Sequence, residues 1–200
     1  MKQAELHPEQ LHYYWAGVLV NDNEAFKKIH SVLFNGLYNY ALKFLNDEAL
    51  AEDAVQELFV KIWVKRSSIG SITHVKSYFF TTLRRQMLNQ LRNLKLKQLK
   101  IRTYNYPDIE FSREEIIIKE EHDAWLHQKI HELLNQLPAR QREVVYLRYF
   151  ENMSTTEITT VMKINYQSVQ NLLQKAFEKL RASDMLKLFV LVALLGLQRK

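Results

Sequence analysis

Gln167, Gln170, Asn171, Gln174 and Lys175 recur along one stretch of the chain at spacings of one to four, with Tyr166 and Ser168 at its start. On a helix, positions three and four apart share a face. Long amides pair bidentately with adenine, and lysine meets guanine acceptors or phosphate, so the chemistry suits a DNA major groove. A merely solvated helix face uses the same residue types. Opposite lie Val169, Leu172, Leu173, Ala176 and Leu180, with the apolar period of a buried face.

A second group lies upstream. From Leu58 to Pro107 the chain has no Asp or Glu, while basic residues run from Lys61 and Arg66 through Arg84, Arg85 and Arg92 to Arg102. Opposite signs usually intersperse on a surface, so an unopposed run of this density points to an anionic partner. Tyr78-Phe79-Phe80 and the small polar loop RSSIGSITH, which opens on Arg66, Ser67 and Ser68, lie within it. Helical spacing puts Phe80, Leu83, Met87, Leu91 and Leu94 on one side and Thr81, Arg84, Arg85, Leu88, Asn89 and Arg92 on the other. Phosphate neutralisation combined with aromatic faces is what unpaired nucleic acid needs. Core packing is the alternative reading of Phe79 and Phe80.

Catalytic constellations are missing. His131-Glu132-Leu133-Leu134-Asn135 differs from a zinc-protease HExxH by Asn135, which replaces the second histidine. His127 and His131 stand four apart, but no third ligand is demanded by the pattern. Gly-rich phosphate loops, nucleophile elbows and carboxylate dyads are lacking. With no cysteine there is no thiol nucleophile, disulfide or zinc–thiolate site. The expectation is a protein that is not an enzyme, with no metal, cofactor or small-molecule substrate.

The elements that must position these residues are helical. The 200 residues allow one large or two small domains, and four Gly with three Pro leave little turn chemistry for an all-β fold. The fold class is all-α: two small helical domains joined by a flexible linker. A net charge of +6 and a pI near 9.4 agree with an anionic partner. The segment MKQAELHPEQLHYYW lacks the apolar core of a secretory signal, so the cytoplasm is expected. The first helix is expected after Asn21-Asp22-Asn23-Glu24, with Phe26, Ile29, Leu33, Leu37, Tyr40, Ala41 and Phe44 inward. A break at Asn46-Asp47 precedes a helix burying Ala51, Val55, Leu58, Ile62 and Trp63. Its outer strip is Asp53, Gln56, Glu57 and Lys61, which a solvated face explains equally well.

The first domain is placed at 1–95 and the linker at 96–122, where periodicity fades and the sign flips to acidic after Pro107. The second domain, 123–184, restarts with Trp125, Leu126, Ile130, Leu133, Leu134 and Leu137. Pro138 suits a helix's first turn. Ser154 with Glu157 reads as a capping box, and Asn165 as the N-cap of the amide-bearing helix. A short helix, tight turn and longer polar-faced helix match a helix-turn-helix. The tail, 185–200, holds ten residues from Leu188 to Leu197 without a polar side chain. About 15 Å of helix is half a bilayer core, so the tail is expected to pack on its own domain, between domains or on a partner.

With these residues in view, the chain resembles the extracytoplasmic-function (ECF) sigma factors of bacterial RNA polymerase, in the sigma-70 family. LPARQREVVYLRYFENMSTTEI…INYQSVQNLLQKAFEKLR resembles their region four, and AEDAVQELFVKIW followed by KSYFFTTLRRQMLNQLR resembles region two. The resemblance spans roughly residues 20–95 and 122–182. It implies that Asp53, Gln56 and Glu57, with Phe59 nearby, dock on core RNA polymerase. It implies that the loop Arg66 to His74 and the helix Tyr78 to Arg92 melt the minus-ten promoter element and hold a flipped base. Ser154 and the face from Tyr166 to Lys175 would read minus-thirty-five DNA. It further implies that the linker threads into the polymerase and that an anti-sigma factor, often membrane-anchored, holds the protein inactive. Arg85 stands where the family often has Asn, Lys163 where a turn Gly is usual, Asn165 for Ser and Thr159 for Ala. Two other classes remain open: a stand-alone helix-turn-helix regulator, which needs no polymerase-docking face, and a protein-interaction module, which needs no DNA.

Overall fold

The computed structural model describes residues 8–97, 109, 111 and 124–181, and all regular structure among them is helical. The tail after Arg181, and with it every expectation about Leu188–Leu197, lies outside the described residues, as does the linker apart from positions 96, 97, 109 and 111. The helices fall into two compact units, α1–α4 and, in the main, α5–α8. None of the described helices is long and apolar enough to cross a membrane.

In the first unit α2 (Asn23–Leu45) is the central element, packed on α1 (Pro8–Leu19), α3 (Glu48–Ile69) and α4 (Val75–Lys97). Asp22 caps it, its carboxylate accepting the N–H groups of Glu24 and Ala25. Asn46 ends it in the left-handed conformation, and Asp47 caps α3 through the N–H of Leu50. An asparagine followed by an aspartate thus turns the chain between two long helices. Most of the predicted inward positions are buried: Ile29, Leu33, Leu37, Tyr40, Ala41 and Phe44 on α2, and Ala51, Val55, Leu58 and Ile62 on α3. Phe26 and Trp63, expected inward, are half-buried and pack on each other at the rim.

Helix α1 lies ahead of residue 21, where the capping residues alone place the first helix. Its own pattern carries it: Leu11, Trp15 and Val18 recur at four and three and are all buried. Gly17 lets α1 approach α2, because a Cβ there would stand 2.9 Å from that of Ala25.

In the second unit α5 (Ala124–Asn135) leads through Pro138 into α6 (Ala139–Val145), with Pro138 as the N-cap residue rather than inside the first turn. Helix α6 is buried all round, from Gln141 to Val145, and packs on α8. It continues as a π-helical turn, Tyr146–Phe150, closed by Glu151 N–H to the Tyr146 carbonyl. The wider turn stacks the rings of Tyr146 and Phe150 at 5.6 Å and 9°.

Two residues read as linker belong to this core. Ile109 and Phe111 are buried, and the Phe111 ring lies 5.1 Å from Phe150 and 6.3 Å from Tyr146. Asn135 fixes the Phe111 backbone at two points: its Oδ1 accepts the N–H at 2.9 Å, and its Nδ2 donates to the carbonyl at 3.2 Å. The residue that spoils the HExxH pattern is therefore an anchor for incoming chain, with a further contact to His131 Nε2.

Candidate nucleic-acid interface

The helix-turn-helix is α7 (Thr155–Met162) and α8 (Tyr166–Arg181). Ser154 Oγ accepts the Glu157 N–H, and the Glu157 carboxylate accepts the Ser154 N–H at 2.9 Å, so the capping box is complete. The Ser154 hydroxyl is committed to that cap. Between the helices Lys163 sits left-handed at φ 52 and ψ 51, the conformation that glycine adopts without penalty. Asn165 Oδ1 accepts the Ser168 N–H at 2.7 Å and starts α8.

Val169, Leu173, Ala176 and Leu180 are buried under α8, with Leu172 half-buried. Gln167, Asn171, Gln174 and Lys175 are exposed on its outside, and Tyr166 is 56% exposed. Their amides bond along the helix, Gln167 to Asn171 at 3.0 Å and Gln174 to Glu178 at 2.9 Å. Gln170, half-buried, donates to the Tyr166 hydroxyl and reaches Thr155 Oγ1 at 3.4 Å, which links α8 to α7. Exposed pairs of this kind are weak and exchange readily for contacts to base edges.

The first unit is built differently. On α3, Asp53 is exposed with no hydrogen-bond or ion-pair partner among the described residues. Gln56 donates to Glu52. Glu57 is held on both oxygens, by Lys61 at 2.6 Å and by Gln86 of α4 at 2.6 Å. Phe59, expected near this outer strip, is buried between Phe26, His30 and Phe79 and presents no ring to a partner. His30, desolvated in that cluster, is held below the ordinary histidine pKa.

At the end of α3 Arg66 lies over the Trp63 ring and donates through Nε to Asn21 Oδ1 at 2.8 Å and through Nη1 to the Trp63 carbonyl. Most of its donors are thus used inside the unit. Ser67 and Ser68 are exposed, with Ser68 Oγ donating to the Lys65 carbonyl. On α4, Phe79 and Phe80 are core, and Tyr78 is half-buried beside Trp15. Arg84 does not share the outer face with Arg85: Ser77, Phe80, Arg84 and Met87, spaced by three and four, are all buried, so its stem lies along the core. Arg85, Asn89 and Arg92 are exposed, while Thr81 is half-buried and bonds back to the Ser77 carbonyl.

Sequence reasoning missed His12 and Trp15. His12 Nδ1 donates to the Ile72 carbonyl at 3.1 Å and Trp15 Nε1 to the Gly70 carbonyl at 3.0 Å, both in the loop between α3 and α4. The periodicity of Leu11, Trp15 and Val18 announces the helix, but nothing local announces contacts across 55 and 60 residues.

Known proteins give the same two-part reading. Residues 33–96 match the family model described as Sigma-70 region 2, and residues 127–180 match Sigma-70, region 4. The chain is 29% identical over 144 residues to the RNA polymerase sigma factor SigV of Bacillus subtilis, covering 72% of this chain and 81% of SigV. It is 29% identical over 146 residues to the ECF RNA polymerase sigma factor SigL of Mycobacterium tuberculosis, covering 72% and 80%. In fold it is similar to CnrH, solved in complex with the cytosolic domain of CnrY, with a TM-score of 0.56 at 19% identity over 86% of this chain and 96% of that one. It is also similar to RpoE of Bartonella quintana, solved with the anti-sigma factor NepR, with a TM-score of 0.57 at 22% identity over 78% and 94%. With both family regions matched, in order and on the two helical units, the chain belongs to the ECF sigma factors of the sigma-70 family.

Proposed function

We propose that this sigma factor directs core bacterial RNA polymerase to its promoters by dividing the work between its two units. The observation that carries this is the pairing, in one chain, of an acid-free α4 with an outward row of Arg85, Asn89 and Arg92 and a capped recognition helix with exposed amides. Residues 1–95 form the polymerase-docking and melting domain and 123–184 the duplex-reading domain. Asp53 and Gln56, with Glu57 beside them, meet the polymerase. The last turn of α3 at Ser67 and Ser68, which extends as helix into the expected loop, the loop Gly70–His74 and the outer residues Arg85, Asn89 and Arg92 take the unpaired strand. Arg66, Arg84, Tyr78 and Thr81 shape that surface from beneath. Tyr166, Gln167, Ser168, Gln170, Asn171, Gln174 and Lys175 read minus-thirty-five bases, with Ser154 holding the entry of α7. The protein supplies binding energy and no bond chemistry, in the cytoplasm where polymerase works. An anti-sigma protein is its natural inhibitor, as RpoE was solved with NepR.

The test is transcription in vitro with core polymerase on a promoter library from the source genome. The expected result is sigma-dependent transcripts from a small promoter set sharing two spaced elements. Specific duplex binding without any effect on core polymerase would identify a stand-alone regulator instead.

A further inference from the structure

The loop between α3 and α4 is short, polar and exposed at Ser71, Thr73 and His74, yet it is tied down at both ends. Gly70 opens it at φ 69 and ψ −161, a conformation restricted to glycine by backbone torsion, since a Cβ there would meet nothing within 4 Å. Freed of other constraints, such a loop would sample many conformations. Here it is restrained from α1. Trp15 bonds the Gly70 carbonyl, His12 the Ile72 carbonyl, and Asn21, left-handed at φ 70 just after α1, accepts from Arg66 at the loop's entrance. The Trp15 ring also packs 6.3 Å from Phe79 and 6.4 Å from Tyr78, at the start of α4 where the loop ends. Trp15 is 1% exposed and cannot take a second set of partners without repacking.

We infer that α1 is the template of the promoter-melting loop: His12 and Trp15 are positioning residues that set the Gly70–Ile72 backbone in the shape that accepts an unpaired minus-ten base. The inference rests on the proposed role of this loop. A base-capturing pocket gains specificity only when its donors and acceptors are fixed before the base arrives, because ordering them on binding costs affinity. Neither residue need touch DNA. Their action is read through the carbonyls they hold.

The experiment uses holoenzyme assembled from core bacterial RNA polymerase and the full chain, with single-stranded minus-ten oligonucleotides from the strongest promoter of the library. Affinity is measured for the cognate strand and for strands substituted at each position. Trp15→Phe keeps an aromatic side chain but loses the N–H together with some core volume, a loss that the Val18→Ala control matches. His12→Ala removes the other bond, and His12→Asn restores a donor. Each bond lost should reduce discrimination between cognate and substituted bases about threefold to tenfold, and His12→Asn should recover most of it. Val18→Ala, which thins the α1 core without touching the loop, should lower the melting temperature at least as much yet leave discrimination intact.

Ser71→Ala with Thr73→Ala separates this inference from the role of the loop itself. If that loop variant loses discrimination while Trp15→Phe and His12→Ala keep it, α1 is not the template and the promoter-melting role stands. If Val18→Ala loses discrimination in proportion to its stability, α1 acts only as packing and the inference is overturned. If the loop variant also reads bases normally, the role of the loop falls and the inference falls with it.

Discussion

The two units present DNA-binding chemistry in opposite ways. In the second, the groups suited to bases stand outside the fold: Gln167, Asn171, Gln174 and Lys175 are exposed and bonded, where bonded, to neighbours one turn away. In the first, much of the basic and aromatic surface is partly absorbed by the fold. Arg66 is clamped to Asn21 and Trp63, Arg84 and Phe80 are buried, and the loop carbonyls are held from α1. Duplex DNA offers a regular groove, and a rigid helix with side chains projecting from it is enough to read it. An unpaired strand has no fixed shape, so the protein must supply the shape.

The largest effect that would sharpen the contrast is at the acidic strip of α3, the face proposed to meet the polymerase. Asp53→Lys should abolish assembly with core polymerase while leaving helix content unchanged, because an exposed charge contributes little to folding. Polymerase binding by fluorescence anisotropy and far-ultraviolet circular dichroism check both halves. Glu57→Lys is the less clean variant, since it also removes the Gln86 and Lys61 contacts that tie α3 to α4 and to its own next turn.

Next in size is the anchor of the second unit. Phe111→Ala should cost that unit about 3–5 kcal/mol, the usual range for a buried phenylalanine, and leave the first unit unaltered in amide hydrogen exchange. Equal loss of protection in both units would mean that they are not independent. Arg66→Ala is the counterpart in the first unit: the loss of its charge-assisted bonds should cost about 1.5–3 kcal/mol there, read as an earlier urea midpoint.

Gln167→Ala and Asn171→Ala should relax preference at single upstream bases by about 1–3 kcal/mol for each bidentate contact removed. Competition binding with substituted duplexes measures it. The smallest effect is at the turn: Lys163→Gly should stabilise the second unit by about 0.5–1 kcal/mol, because the left-handed conformation no longer strains a side chain. Thermal unfolding would show a higher midpoint, and a lower one would place a needed contact on the Lys163 side chain.

The same contrast decides what was legible in the sequence. Capping residues and apolar spacing are local, so Asp22, Asn46–Asp47, the Ser154–Glu157 box, Asn165 and the buried faces of α2, α3 and α8 follow from the chain itself. The outer face of α8 is legible for the same reason. The face of α4 is not, because Arg84 obeys the core period while its residue type says surface. Phe59 stands four after Val55 and three before Ile62, so the apolar period of α3 already turns it inward, and it is the family resemblance and not the spacing that sets it beside the acidic strip. Contacts such as His12 to Ile72, Trp15 to Gly70 and Asn135 to Phe111 join residues far apart in the chain. Their spacing carries no period, so only the folded chain displays them.

The division of labour is tested most directly by footprinting and permanganate reactivity on one promoter, comparing holoenzymes that carry Gln167→Ala with Asn171→Ala and Arg85→Ala with Arg92→Ala. The first pair should lose the upstream footprint on duplex DNA yet still bind and open a template melted in advance. The second pair should keep the upstream footprint, fail to expose reactive thymines at minus ten, and show a flatter dependence of opening on salt. Loss of both signals by both pairs, or the reverse assignment, would contradict the account.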